Sequence, residues 1–384
     1  MHIFSTIGLG TFDSAKTAFF TVALGLGGVI TLWMGIMKVG EKAGAINFIG
    51  KIIGPFFRRL FPEIPEGHPA QGHIMMNFSA NMLGLSNAAT PIGLKAMESM
   101  QELNKDKETA SNPMIMFLAI NTAGFTLIPV SIMGLRAANS AANPTDVFIP
   151  ILIASFCASY IGMIAVAIRQ RINLFERVLF TWLITGLAIF SLFIYGFMQL
   201  SPTAKAEIST VGGGFFILTI ICAFFIAALR KKINVFEAFI EGAKEGFNTV
   251  IRIVPYLVAM IVAIGVFRNS GALNYLVQGF TLFFEFIGVD TRFVPALPTA
   301  FMKPLSGGGT EGLAIDAMKT YGADSFVGRL ASVIYASADT TFYIVALYFG
   351  AVKIKNTRYA VGAGLIADLG GIVAAILVAY LFWG

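Results

Sequence analysis

Charged residues are scarce in this sequence. Asp, Glu, Lys and Arg together make up 12% of its 384 residues, whereas soluble domains average about 25%. Hydrophobic residues make up 57%, and the mean hydropathy is +0.78. So little charge excludes an ordinary soluble domain and predicts a membrane protein that crosses the bilayer many times.

Residues for metal binding and covalent chemistry are also scarce. The chain has two cysteines and three histidines, and neither Cys157 nor Cys222 has a partner nearby in the sequence, so we expect no disulfide framework and no metal site. There is no Ser/His dyad, paired catalytic Asp motif or His-rich helix, which argues against an enzyme. The motif SGGGTEG at 306–312 lacks the Gly-Lys-Ser/Thr ending of a P-loop. We therefore expect no cofactor other than Na⁺ or H⁺ as a coupling ion.

The positive charges that are present form groups. The net charge of +6 and the isoelectric point near 9.2 would by themselves suit a nucleic-acid-binding protein. The basic residues instead fall in short loops beside apolar stretches, a pattern typical of the cytoplasmic loops of membrane proteins. We expect no nucleic-acid partner. The main basic groups lie at 38–59, 105–107, 169–177, 230–244 and 353–358.

Long apolar stretches are numerous, and about 20 such residues are enough to cross a bilayer. Two further segments, 38–60 and 272–288, are amphipathic or short. The sequence leaves open whether these two span the membrane or lie at its interface. The predicted spans are 17–37, 113–136, 146–168, 178–199, 211–229, 250–267, 327–351 and 359–383.

Two parts of the chain carry related segments in the same order. AGAINFI at 43–49 parallels SGALNYL at 270–276, for example, and other short matches precede and follow this pair at a similar separation. This order predicts an internal repeat. The predicted domains are a first repeat at 11–170, a linker with two transmembrane helices at 171–238, and a second repeat at 239–384.

The two repeats are predicted to have opposite orientations. If the basic loops are cytoplasmic, span 17–37 runs inward and its counterpart 250–267 runs outward. Inverted repeats are typical of transporters that alternate access around a central site. The predicted fold is an all-α polytopic membrane protein with two inverted-topology repeats, each with a re-entrant or broken-helix hairpin and an interfacial helix.

Each repeat contains an interrupted apolar stretch rich in Gly, Pro, Asn, Ser and Thr, at 77–97 and at 296–318. Non-helical backbone at membrane depth is tolerated only where it is buried in protein or lines a wet cavity. Paired interruptions therefore predict a binding site, to which two polar span centres also contribute. The candidate substrate-binding residues are Asn77, Asn81, Ser86, Asn87, Thr90, Asn121, Thr126, Lys303, Ser306, Thr310, Ser337 and Thr340.

Two acidic residues, Glu311 and Asp339, are candidates for ion coupling. A charge at the centre of a span costs roughly 2.5–3.5 kcal/mol on insertion scales, which indicates a role for it. Structural alternatives remain open, because Glu311 can pair with Lys303 and Asp339 can belong to an internal salt bridge. Asp368 also lies within a span, but the glycines beside it indicate helix packing.

Several long motifs resemble spore maturation proteins A and B, which carry the nucleoside-recognition or "Gate" domain. LFPEIPEGHPAQGHIMMNFSANMLGLSNAATPIGLKAM at 60–97 is similar to protein A. MKPLSGGGTEG at 302–312 and DSFVGRLASVIYASADTTFYIVALYFGAVKIKNTRYA at 324–360 are similar to protein B. The resemblance covers most of the chain and indicates a fusion of the two.

The same group includes concentrative nucleoside transporters and the membrane part of a ferrous-iron transporter. The resemblance implies a bacterial inner-membrane protein, re-entrant hairpins around a central site, and a homo-oligomer. In the nucleoside transporters, hairpin Asn, Ser, Thr and Glu residues hold substrate and sodium. The positions that correspond here are Asn81, Asn87, Thr90, Ser306 and Glu311.

These features predict a secondary transporter of a small polar or anionic solute, coupled to Na⁺ or H⁺ and working by alternating access. Two alternatives stay open. One is a non-transporting membrane scaffold or regulator in envelope or spore maturation, and the other is a transporter of a lipid or lipid-linked substrate. The expected partners are the small-molecule substrate, membrane lipids and other copies of the chain.

Overall fold

The computed structural model describes the backbone of residues 2–384, and their side chains except at 2–7, 21–23, 25, 86–87, 202–203, 205–206, 209–210 and 256. Apart from one isolated bridge between Thr109 and Asn356, the regular structure of this described part is helical. It includes six segments long and apolar enough to cross a bilayer, so the chain is a multi-pass membrane protein. These are Phe148–Arg169, Arg177–Met198, Val211–Arg230, Val235–Asn269, Phe326–Ala351 and Ala360–Trp383.

The first half of the chain begins with a long helix. Helix α1 (His2–Lys16) continues through a π-helical segment (Thr17–Ala23) into α2 (Leu24–Lys42). The amphipathic helix α3 (Ala45–Leu60) follows. The remaining helices of this half are α4 (Pro69–Met82), α5 (Ser86–Leu103), α6 (Asn112–Ala123), α7 (Val130–Ala138) and α8 (Phe148–Arg169).

Two apolar helices, α9 (Arg177–Met198) and α10 (Pro202–Arg230), connect the first half to the second. The second half opens with α11 (Val235–Asn269). Its remaining elements are α12 (Ala272–Phe286), a 3₁₀ turn (Val294–Ala296), α13 (Leu297–Met302), α14 (Gly307–Tyr321), α15 (Phe326–Ala336), α16 (Thr341–Ala351) and α17 (Ala360–Trp383).

The order of elements from α2 to α8 is matched by the order from α11 to α17. Each series has a long helix, a second helix, a helical hairpin, two short helices and a closing long helix. In each, a glycine with positive φ separates the first two helices, Gly44 at 88° and Gly271 at 82°, a conformation that glycine adopts without strain. The shared order is compatible with the predicted repeat, whose boundaries and opposite orientation stay predictions.

Two of the predicted spans are interrupted. Within 113–136 the helix stops at Ala123 and restarts at Val130, and within 327–351 it stops at Ala336 and restarts at Thr341. Hydropathy alone does not detect these interruptions because the residues around them are apolar. The first one contains Gly124 with φ of 56° and ends at a proline, two features that stop a helix.

Close contact between α2 and α11 joins the two halves. A Cβ at Gly242 would overlap the carbonyl oxygen of Met34, and one at Gly246 would lie 2.9 Å from the Met34 Cβ. Small residues let membrane helices approach closely, which gains van der Waals packing where lipid supplies little hydrophobic driving force. These glycines therefore allow the two long helices to pack together.

The halves also meet through loops at one end of the helices. The α5–α6 connection lies against the α16–α17 connection, where Ala110 N–H donates to the Asn356 carbonyl at 2.9 Å and Lys355 N–H donates to the Glu108 carbonyl at 2.8 Å. The Lys355 and Glu108 side chains form an exposed ion pair at 2.6 Å. Exposed pairs of this kind contribute little, about 0–1 kcal/mol.

At another junction between the halves the α7–α8 connection lies against the α14–α15 connection, and here the charges are buried. Arg136 is 0% exposed and donates to the Ala323 carbonyl at 2.6 Å, to Asp146 at 2.8 Å and to Asp324 at 2.9 Å. Arg329 pairs with Asp146 at 2.7 Å. Burial raises the pKa of Asp146, and the two guanidinium groups oppose that shift. Arg136 therefore links the two halves.

We predict that Gly242→Ala lowers the stability of the protein by about 1–3 kcal/mol, because the added methyl group overpacks the α2–α11 contact. The measurement is the melting temperature in detergent. Gly362→Ala is the matched control, since no atom lies within 4 Å of a Cβ there. Equal melting temperatures for the two variants would contradict this account of the contact.

We predict that Arg136→Met destabilises by about 1.5–3 kcal/mol, since the buried Asp146 carboxylate loses one of its two guanidinium partners and the Ala323 carbonyl loses its donor. Lys355→Met is the control, because it removes an exposed pair and should change stability by no more than about 1 kcal/mol. Thermal unfolding of both variants in the same detergent measures the difference. If the control loses as much stability as the Arg136 variant, the buried cluster does not link the halves in this way.

Candidate functional site

A polar cavity of about 210 Å³ lies where the two interrupted helices meet. The α4–α5 hairpin, the α6–α7 interruption, the α13–α14 hairpin and the α15–α16 interruption all contribute to its wall. We call it the central cavity. Its polar side chains are Asn81, Asn121, Thr126, Ser131, Lys303, Tyr335, Asp339 and Thr340.

Backbone hydrogen bonds tie the four elements together. The two interruptions bond directly to each other, and each also bonds to the hairpin of its own half. Buried backbone groups that leave a helix need such partners. The three bonds run from Asp339 N to Thr122 O at 2.7 Å, from Leu127 N to Met82 O at 2.7 Å, and from Phe342 N to Pro304 O at 3.0 Å.

Three of the predicted asparagines form a connected group on one side of the cavity. Asn81 donates to the Asn121 side-chain oxygen at 2.9 Å, and Asn121 donates to the Phe117 carbonyl at 2.9 Å. Asn77 is fully buried behind them and donates to the Ala89 carbonyl at 2.8 Å. Asn81 and Asn121 therefore line the cavity, whereas Asn77 supports the hairpin.

Two opposite charges line the cavity. Lys303 is only 4% exposed, donates a hydrogen bond to the Tyr335 carbonyl and lies 5.4 Å from the centroid of the Tyr335 ring. Asp339 is exposed to the cavity, and its Oδ1 accepts from the Thr340 N–H at 2.7 Å. In the described part of the chain neither side chain forms an ion pair. The internal salt bridge considered for Asp339 is therefore absent there.

Glu311 faces a different cavity of about 200 Å³. This Glu311 cavity shares Gly84, Val130, Ser131 and Tyr335 with the central cavity, so the two cavities adjoin. Among the described side chains Glu311 has no ion-pair or hydrogen-bond partner, and the alternative pairing with Lys303 does not occur. An acidic group in these surroundings can take up a proton or a cation.

Asp368, interpreted from the sequence as part of a packing face, also has a polar role. Its Oδ2 accepts from the Thr341 hydroxyl at 2.6 Å, while its Oδ1 is buried without a partner in the described structure. The packing interpretation holds as well, since a Cβ at Gly162 would lie 2.7 Å from the Ala367 Cβ. The sequence feature that could have indicated this polar role is the position of an ionisable residue within a membrane span. Asp368 thus contacts the α15–α16 interruption from outside the lining of the central cavity.

Other predicted site residues hold helix ends. The Ser306 hydroxyl caps α14 by accepting from the Gly309 N–H at 3.1 Å, and the Thr310 hydroxyl donates to the Ser306 carbonyl at 2.7 Å. Ser337 is buried and donates to the Ile334 carbonyl at 3.0 Å. These hydroxyls are occupied by the backbone, so they shape the cavity from outside its lining.

The remaining predicted residues lie elsewhere. Thr90 lines a separate cavity of about 550 Å³ with Lys38, Glu245 and Arg252, between the end of α2 and the first half of α11. The side chains of Ser86 and Asn87 fall outside the described residues. The described residues contain no group of three or more His, Cys, Asp or Glu placed to hold a metal ion.

The family model Gate, described as nucleoside recognition, matches residues 23–139 and 250–355, which is more than half of the chain. The chain belongs to the Gate family. The matched segments contain the hairpins and interruptions that line the central cavity.

Two curated relatives of this Gate family chain come from Bacillus subtilis (strain 168). Spore maturation protein A is 44% identical over 155 residues, which cover 40% of this chain and 78% of the relative. Spore maturation protein B is 44% identical over 165 residues, which cover 43% of this chain and 91% of the relative. The predicted resemblance to both proteins is confirmed.

We predict that Asn121→Ala destabilises by about 1–3 kcal/mol, because Asn81 loses its nearest acceptor at a buried position. Asn274→Ala is the control: Asn274 is exposed, and such changes usually stay within about 0.5 kcal/mol. Melting temperatures in detergent compare the two. A variant at Asn121 as stable as the control would mean that the amide pair does not hold the hairpin to α6.

Proposed function

We propose that the protein is a secondary transporter of a small polar or anionic solute, coupled to Na⁺ or H⁺. The observation that carries this proposal is the central cavity. It has polar groups on both halves of the chain and lies at the interruptions of two apolar helical segments. Transporters bind substrate at such interruptions, where freed backbone groups and helix ends are available.

The connections between the two halves support an alternating-access mechanism. Each interruption is bonded to its own hairpin, while a single backbone bond between Asp339 and Thr122 joins the two interruptions. Movement of each hairpin and its interruption against the other pair would break this bond and would require the buried contacts between the halves, such as those of Arg136, to rearrange. The predicted inverted orientation of the halves would turn such a movement into exposure of the cavity on alternate sides.

Glu311 is the residue that we propose for ion coupling. A carboxylate without a partner is costly at membrane depth and is stabilised when it binds a proton or a cation. Its cavity adjoins the central cavity through Tyr335 and Ser131, so occupancy at Glu311 can affect the wall of the substrate site. Asp339 lies in the substrate site itself and can also take part in coupling.

The setting that we propose for this function is the bacterial inner (cytoplasmic) membrane, because the chain has apolar membrane-crossing segments and its relatives are bacterial. The proposed transport involves no covalent chemistry and needs no cofactor apart from the coupling ion. In this proposal the protein contacts membrane lipids, forms a homo-oligomer and has no nucleic-acid partner. A nucleoside is one candidate solute, because the matching family is described by nucleoside recognition.

Two other functions have some support. The relatives are named for spore maturation, which favours a scaffold or regulator in envelope or spore assembly. A lipid-linked substrate is favoured by an apolar pocket of about 240 Å³ beside the central cavity. Met82, Ile120 and Phe125 line this pocket, and each is adjacent in sequence to a polar residue of the central cavity.

Transport is tested in proteoliposomes with imposed Na⁺ or pH gradients. We expect gradient-driven uptake of at least one solute from a panel of nucleosides, amino acids, dicarboxylates and small phosphorylated compounds. Glu311→Gln should abolish the response to the gradient because it removes the ionisable group. Glu285→Gln, at an exposed position on α12, is the matched control and should transport normally.

Two results would count against this proposal. If no solute accumulates under either gradient, the scaffold or lipid function becomes the better explanation. If uptake occurs but Glu311→Gln responds to the gradient as the unchanged protein does, transport stands and the assignment of Glu311 is wrong.

A further inference from the structure

The size of the central cavity limits what it can hold. Its volume of about 210 Å³ equals the space of roughly seven waters at about 30 Å³ each. Sites for drug-sized ligands are larger, about 300–1,000 Å³. In this conformation the cavity accommodates a solute of roughly seven to ten non-hydrogen atoms, and a nucleoside has about twice as many. A nucleoside would therefore extend beyond the cavity in this conformation, whereas a smaller solute fits within it.

The charges in the cavity wall are balanced. Lys303 supplies one positive group and Asp339 supplies one negative group, and the other polar side chains of the lining are amides and hydroxyls. Lys303 and Asp339 attract each other, and a solute with one charge would pair with one of them and weaken its attraction for the other. A buried charge without a partner is costly. A solute that carries both charges satisfies both groups and adds no net charge.

Each of the two groups also has its own backbone partner. The Lys303 ammonium donates to the Tyr335 carbonyl, and the Asp339 carboxylate accepts from the Thr340 N–H, so each is anchored to backbone on its own side. They line one cavity but form no ion pair with each other. The neutral Asn81–Asn121 pair forms another part of the wall and can bond to uncharged polar atoms of a solute.

We propose that the central cavity binds a small zwitterion, with its anionic group on Lys303 and its ammonium group on Asp339. Compounds that resemble amino acids in size and charge belong to this class. The inference rests on the proposed transport function only for its physiological meaning, because binding can be measured separately. It assigns Asp339 to the solute and leaves Glu311 for the coupling ion.

The test uses matched sets of probes with the full-length protein purified in detergent. Each set contains a zwitterion, its N-acetyl derivative without the cationic group, and its amide derivative without the anionic group. Glycine, L-serine, L-proline and γ-aminobutyrate are the parent zwitterions. Binding is measured by calorimetry at millimolar probe concentrations, once in choline buffer and once in sodium buffer.

We expect at least one parent zwitterion to bind without sodium and both of its derivatives to bind at least about tenfold more weakly, equivalent to a loss of about 1.4 kcal/mol each. Asp339→Asn should remove the preference over the N-acetyl derivative, and Lys303→Gln should remove the preference over the amide. Asp13→Asn and Lys51→Gln, both at exposed positions, are the controls and should keep both preferences.

Several results would overturn the inference even if the variants did not fold, because the probes are compared on the unchanged protein. One is that no parent zwitterion binds. Another is that an N-acetyl derivative binds as tightly as its parent once sodium is present, since Asp339 would then hold the metal ion. A third is that a nucleoside binds more tightly than every zwitterion.

These results are distinguishable from failure of the transport proposal. Gradient-driven uptake of a nucleoside or a simple anion would preserve transport and reject the zwitterion. Binding of a zwitterion with no uptake of any solute would preserve the site and reject transport.

Discussion

Backbone groups that leave a helix inside a bilayer must find partners within the protein, because lipid offers none. This protein has two interrupted helical segments, and it meets the requirement by bringing them together. Asp339 N–H donates to the Thr122 carbonyl, and a further bond ties each interruption to a hairpin of its own half. The position of the central cavity follows from these bonds, since its wall consists of the segments that make them. The segments that satisfy each other's free backbone groups are thus the same segments that form the site.

The same arrangement explains why polar side chains of distant sequence position meet. Asn81, Asn121, Lys303 and Asp339 come from four elements, each of which must stop or turn near the middle of the protein. Other groups close by serve the fold: Asn77, Thr310 and Ser337 bond to backbone carbonyls, which leaves the first group facing the cavity. The match to the Gate family covers both halves of the site.

Much of the architecture could be predicted from the sequence. Low charge and long apolar stretches predicted a multi-pass helical protein, and the glycine- and asparagine-rich segments marked two hairpins. The interruptions at 124–129 and 337–340 were harder to see, because apolar residues surround them and a single glycine or proline does not always stop a membrane helix. Asp368 was interpreted through the glycines beside it, and its bond to Thr341 depends on a helix 27 residues earlier in the chain.

The sequence by itself determined the helical membrane fold, the family and the two hairpin segments, since hydropathy, glycine and proline act locally. Only the tertiary structure decided which polar residues share a cavity. Lys303 and Glu311 lie one hairpin turn apart, yet they face different cavities, whereas Asp339 comes from a later helix and faces the same cavity as Lys303. The cavity that a side chain faces depends on how the helices pack against one another, and the order of residues along the chain does not specify this packing.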